Sequence, residues 1–381
     1  MVQLSTLFST LTVAAVAGSA LAHPSVHSPS ELEFQRRARR SLGDCQSQLR
    51  KRDGVAVRSM ARRQAYADSI RKARGLSTGP FKRDLATVLA TDHKSNLTGV
   101  TNNTDAATLF DTDSSCVLAP EVTQGPYYVD GEYVRYDIRE DQEGIPTYLD
   151  IELIDVSTCE PVPDIYIDIW SANATGVYSG IVASGNGEST DASNINTTFI
   201  RGIQQTNEDG VAQWLTIFPG HYTSRATHIH LIAHQTNASV YDNGTYVENT
   251  VSHVGQLFFD QDLISEVEAT SPYSTNTQDL TENADDSILS EEADDIDPVV
   301  EYVLLGDSLS DGVFAWTSIG IDTTAAYTVT PSADYYETGG VANSNSGSGM
   351  GGGGSAPSGS ATGVPPSGSL SGSTPSATSS S

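Results

Sequence analysis

The chain has 381 residues, with 20 Lys and Arg set against 48 Asp and Glu, for a formal net charge of −28. So acidic a protein is excluded as a general binder of nucleic acid or anionic membrane, because phosphate recognition needs clustered Lys and Arg. No stretch reaches the roughly 20 consecutive apolar residues of a membrane-spanning helix.

Residues 1–22 contain an apolar run at 11–17 followed by Ala20-Leu21-Ala22, a small-residue cleavage pattern. They are expected to be a secretory signal peptide, although Lys and Arg are missing before the apolar run. Residues 23–83 carry all the early positive charge, including Arg36, Arg37, Arg39, Arg40, Arg62 and Arg63. Lys51-Arg52 and Lys82-Arg83 are dibasic pairs of the kind cut in the secretory pathway. The segment reads as a basic pro-segment, or alternatively as a poorly ordered basic arm. Beyond Arg83 only five basic residues remain. Cys45 falls in the pro-segment, so Cys116 and Cys159 are the expected disulfide of a mature, exported form. Asn96, Asn102, Asn173, Asn196, Asn237 and Asn243 each begin Asn-x-Ser/Thr, candidate glycosylation sites that agree with a secreted, extracellular protein.

Residues 84–115 read as a linker and 116–338 as one folded domain. Within it, residues 148–156 alternate apolar with acidic side chains, the signature of a strand with one wet face. Residues 165–170, 211–218, 228–233, 255–259 and 313–316 are further predicted strands. Residues 260–267 and 287–305 are predicted short helices or irregular excursions. Many short strands punctuated by Gly, Pro and Asn predict an all-β fold, an antiparallel β-sandwich with helical excursions. The basic pro-segment and a Gly/Ser/Pro/Thr-rich tail at 339–381, expected to be disordered, flank it. The chain shows no internal repeat and no glycine-rich nucleotide loop.

His228-Ile229-His230 carries the first chemical signal. Alternate residues of a strand share a face, so both imidazoles project to one side. Such a pair is either a metal site or two ordinary strand histidines. His234 would share that face and is taken as non-ligating. Tyr222 follows the turn Pro219-Gly220, and Tyr178 follows a glycine-containing loop after the strand at 165–170. Two phenols with two imidazoles suit Fe(III), a hard ion that wants anionic oxygen donors. A bound cation would also draw the phenols down to phenolates. Zinc would favour Cys, His and carboxylate instead.

These residues lie in five ordered stretches: Gln124-Gly-Pro-Tyr-Tyr128, Ile169-Trp-Ser-Ala-Asn173 with Gly176-Val-Tyr178, Thr216-Ile-Phe-Pro-Gly-His-Tyr222, Arg225-Ala-Thr-His-Ile-His230 and Gly255-Gln-Leu-Phe-Phe259. In order and spacing the set resembles the intradiol ring-cleavage dioxygenases, the group of catechol and protocatechuate dioxygenases, over residues 116–329. It is most similar to their secreted fungal branch. The resemblance implies one non-haem Fe(III) per chain, held by Tyr178, Tyr222, His228 and His230. It implies that Tyr222 is displaced when a catechol binds, that Arg225 lies beside the substrate, and that Gln256 is a polar group near the iron. Pro126 and Tyr127 would wall the pocket, and Trp170 would be core. The implied reaction consumes a small catechol and O2 and opens the ring between the hydroxyl-bearing carbons, giving a muconate-type diacid. No counterpart of the catechol enzymes' helical dimerisation region is evident, so oligomeric state stays open. Two other readings compete: a non-catalytic secreted β-sandwich that binds glycan or cell wall, and a zinc hydrolase using His228, His230 and a carboxylate such as Asp168.

Overall fold

In the computed structural model the described residues are 45, 55–76, 125–183, 185–235, 240–247, 250–293 and 298–343. The expected signal peptide, the linker, Cys116, Gln124, Asn96, Asn102, Asn237 and most of the tail lie outside them.

A helix α1 (Val55–Arg74) comes first. The strands follow as β1 (Val129–Asp130), β2 (Pro146–Asp155), β3 (Glu160–Pro161), β4 (Tyr166–Trp170), β5 (Arg201–Gln205), β6 (Val211–Ile217), β7 (His228–His234) and β8 (Thr250–Phe258). Two short helices, α2 (Gln261–Glu268) and α3 (Ser287–Ala293), precede β9 (Glu301–Leu304) and β10 (Val313–Ile321). The short strands β11 (Tyr327–Thr328), β12 (Ala333–Tyr336) and β13 (Gly339–Ala342) complete the described chain. Residues 339–342, expected to open the tail, therefore pair antiparallel with β12.

Two five-stranded sheets face each other. One runs β3-β2-β10-β9, with β6 also paired to β2; the other runs β11-β8-β7-β4-β5. The sandwich is all-β, as the alternating patterns predict. Strand pairing within its two sheets is antiparallel except where β10 lies parallel to β2, and in a third, three-stranded sheet β1 lies parallel to β12. Period-2 patterning sets which face a residue occupies but not strand direction, so the parallel pairs were not foreseeable. Leu149, Ile151 and Leu153 of β2, Ile167 and Ile169 of β4, Ile229 and Leu231 of β7, and Trp214 of β6 fill the space between the sheets. The odd positions of β7 therefore point inward, and His228 and His230 point to the outer face.

The outer face of the first sheet corrects two expectations. The alternating acids of β2 were expected to be wet, yet Asp150 and Glu152 are buried. Helix α1 covers them: Arg63 reaches Asp150 and Glu152 at 3.2 Å each, and Arg62 reaches Asp150 at 3.1 Å. Ala67 and Ile70 pack there with Phe314 and Trp316 of β10. Residues 55–74 are thus a third layer over the sandwich and not a poorly ordered arm. The expected Cys116–Cys159 disulfide is also corrected: Cys159 pairs with Cys45, its Cα 5.3 Å away. The error came from assuming that the basic segment separates from the domain, when opposite charge and buried apolar surface hold the two together. No described helix is long and apolar enough to cross a membrane.

Candidate metal centre

The second sheet's outer face carries the site. His228 and His230 are both buried, and their Nε2 atoms lie 3.0 Å apart. His228 Nδ1 is 2.6 Å from the Ala226 carbonyl, which fixes it as a donor and leaves Nε2 as a lone-pair ligand facing inward to the site. Trp170 of β4 pairs across from His230 and stacks on it, with centroids 4.9 Å apart and planes within 5°. Gly125 approaches the other side so closely that a Cβ there would collide with His230 Cε1.

Two loops supply the phenols. Tyr178 sits between β4 and β5, where Asn186 brackets its backbone: Asn186 Oδ1 accepts from Tyr178 N at 2.7 Å and Asn186 Nδ2 donates to Tyr178 O at 2.8 Å. Tyr222 sits between β6 and β7 in a turn closed by Arg225 N donating to Tyr222 O, with Ser224 in the left-handed region at φ 72°. The loops touch at Gly220, where any Cβ would strike the Asn173 and Ala174 carbonyls. That close approach needs glycine.

The four rings form a closed circuit. Centroid separations are 5.3 Å for Tyr178–Tyr222, 5.6 Å for Tyr222–His228, 4.6 Å for His228–His230 and 6.0 Å for His230–Tyr178. The Tyr178 hydroxyl is fully buried and has no hydrogen-bond partner among the described residues. A buried polar atom without a partner is costly and calls for an explanation such as an ion. Burial pushes the Tyr178 phenol well above its ordinary pKa, and the neighbouring Tyr222 adds to this. Burial likewise raises Tyr222, against the opposing pull of Arg225. Only a strong local cation would make these phenols ionise at neutral pH, and the donor set of two phenolate oxygens and two imidazole nitrogens fits Fe(III).

Arg225 is buried, donating from Nε to Asp286 at 2.8 Å and from Nη2 to Gln256 Oε1 at 2.6 Å. Gln256 stands opposite His230 on β8, and its Nε2 has no partner among the described residues. Tyr127 packs on both phenols, with centroids 4.8 Å from Tyr178 and 6.1 Å from Tyr222. Pro126, between Gly125 and Tyr127, is exposed, and its carbonyl accepts from Ser332 Oγ. Asp168 lies two residues before Trp170 on the same face but away from the imidazole pair, 3.9 Å from His234. No three His, Cys, Asp or Glu side chains gather in a metal-holding group among the described residues.

Three residues were missed. Asp286 anchors Arg225 and also accepts from the Ile288 and Leu289 amides at the start of α3. An acid just before a predicted helix is the capping pattern that could have found it. Arg201 donates to the Tyr127 and Ser179 carbonyls at 2.8 Å each and pairs with Glu132 at 2.9 Å, tying the Tyr127 and Tyr178 segments to β5. Its signal was scarcity, since it is among the few basic residues beyond Arg83. Asn186 had no sequence signal.

Among the candidate glycosylation sites, Asn173 uses its Nδ2 to donate to Gln142 at 2.9 Å, while Asn196 and Asn243 are exposed.

No protein-family profile and no curated protein match this chain. Solved structures do. The intradiol ring-cleavage dioxygenase from Tetranychus urticae is 28% identical, over 55% of this chain and 96% of its own, with a TM-score of 0.45. The dioxygenase domain of a dioxygenase–carbohydrate-binding fusion from Streptomyces sp. SirexAA-E is 21% identical, over 54% and 99%, with a TM-score of 0.34. Catechol 1,2-dioxygenase from Pseudomonas arvilla C-1 is 15% identical, over 53% and 62%, also at 0.34. The structural neighbours are intradiol ring-cleaving dioxygenases.

Proposed function

We propose that the protein is an exported non-haem Fe(III) dioxygenase that opens catechol-type rings between the two hydroxyl-bearing carbons, using O2 and giving a muconate-type diacid. The closed circuit of Tyr178, Tyr222, His228 and His230, with its partnerless buried phenol, carries this reading. A glycan-binding sandwich has no use for such a circuit. Export is supported by the leader-like residues 1–22 and the sequons.

These four residues would hold the ferric ion, which when bound supplies a Lewis acid for both catechol oxygens. Tyr222 Oη, on the turn beside Arg225, would serve as the base that accepts a catechol proton. Arg225, paired with Asp286, would stabilise negative charge developing on the ring. Gln256 fixes the orientation of that guanidinium through Nη2. Tyr127, lying against both phenols, walls the pocket and excludes water.

Purified protein is expected to contain one iron per chain and to show the visible absorbance of tyrosinate-to-iron charge transfer. O2 uptake with catechol, protocatechuate, hydroxyquinol and caffeate, with products identified, tests the activity and ranks the substrates. Protein that stays colourless after ferric loading overturns the reading.

A further inference from the structure

The excursion between β8 and β9 does more than connect strands. Its residue Gln278 reaches both tyrosine-bearing loops with one side chain. Nε2 donates to the carbonyls of Gly176 at 3.1 Å and Thr175 at 3.2 Å, just before Tyr178. Oε1 accepts from Thr223 N at 3.3 Å, just after Tyr222. The Gln278 carbonyl lies 3.0 Å from His221 Nε2, and Asn276 Nδ2 donates to the His221 carbonyl at 2.8 Å. His221 is in turn 2.8 Å from Glu268 at the end of α2. The space is fitted to the amide: Gly176 has φ 80°, and a Cβ there would occupy the position of Gln278 Nε2.

The two loops come from different strands and also approach each other directly, Gly220 against the Asn173 and Ala174 carbonyls. Gln278 adds hydrogen bonds to the backbone of both, beside the Tyr178 and Tyr222 rings whose centroids are 5.3 Å apart. A side chain that bonds the backbone on both sides ties the two loops into one unit, and ligand geometry depends on such outer contacts.

We propose that Gln278 is a positioning residue that sets the spacing of the Tyr178 and Tyr222 phenols. This rests on the iron-centre reading above. Gln278 is only half-buried, so replacing it leaves the core intact.

The test compares wild type with Gln278→Met, which keeps the length but loses every side-chain hydrogen bond. Gln142→Met serves as a control, because of the two tyrosine loops the Gln142 side chain bonds the Tyr178 loop, through Asn173. In iron-free protein, Gln278→Met should speed amide hydrogen exchange in residues 174–178 and 221–224 together, while Gln142→Met should affect the first loop alone. In iron-loaded protein, Gln278→Met should shift the charge-transfer band and shorten the half-time of iron release to a chelator about tenfold. Unchanged exchange in both loops overturns the proposal, as does an unchanged band and release rate in a wild-type background that binds iron. If wild type takes no iron, the functional reading falls separately, and the exchange result alone decides whether Gln278 joins the loops.

Discussion

Asp286 grips Arg225 from the side: one carboxylate oxygen accepts from Arg225 Nε at 2.8 Å and from the Ala226 amide at 2.7 Å. The other oxygen caps α3. Burial raises the Asp286 pKa, but Arg225 and the amides outweigh it and hold the carboxyl below its ordinary value. The guanidinium is therefore held by a buried anion bonded to its Nε.

Asp286→Asn keeps the cap in part and removes the charge. The expected outcome is a fall in kcat/KM of about a hundredfold, the scale of losing an oriented electrostatic group, with iron content unchanged. Metal analysis beside steady-state kinetics checks both halves.

The three outward histidines of β7 should behave differently. His230→Ala is expected to abolish iron binding and colour. His234→Ala should keep both, because His234 packs on Tyr246, at 4.6 Å between centroids, instead of joining the circuit. Iron stoichiometry of the two variants decides.

Asp168 gives a pH signature in stability. Burial lifts its carboxyl to about 7, against the lowering effects of Glu132 and Arg201 and with a further push from Asp130. Asp130 itself is raised by burial to about 6. His234 lies 3.9 Å from Asp168 on β7. A carboxyl with a raised folded pKa binds more protons folded than unfolded, so its contribution to stability is fully present below about pH 4 and is lost as pH rises towards 7. The loss is on the order of a few kcal/mol. Asp168→Asn, which mimics the protonated form, should flatten the Tm profile between pH 4 and 7 and raise Tm at neutral pH. A parallel-shifted profile with the same slope would refute this.

The α1 layer should be integral to stability. Arg63→Met leaves Asp150 and Glu152, both buried, with Arg62 as the α1 cation still paired to them, and breaking a buried pair in this way costs roughly 3–5 kcal/mol. A Tm drop of about 10 °C is expected for a domain of this size. Peptide mapping without reductant should recover Cys45 linked to Cys159; a Cys116–Cys159 peptide would contradict the structure.

Much of the fold was legible because period-2 patterns report burial directly: the strands at 148–156, 165–170, 211–218 and 228–233 all lie within a residue or two of β2, β4, β6 and β7. The stretch 287–305, expected to be a short helix or irregular excursion, holds α3 to Ala293 and then β9 from Glu301, a strand the periodicity did not mark. The two histidines' shared face followed from strand geometry alone. The role of α1 was not legible, because acids alternating along a strand look the same whether water or a basic helix covers them.

The amino-acid sequence by itself determined the sandwich, the outward pair His228 and His230, and the two tyrosines as candidates, because these depend on local periodicity and residue chemistry. Tertiary structure alone decided that Tyr178 and Tyr222 close a circuit with that pair, that Asp286 and Gln278 hold the surroundings in place, and that Cys159 joins Cys45. Those are contacts between segments far apart in the chain, and a long loop leaves no periodic trace of where it returns.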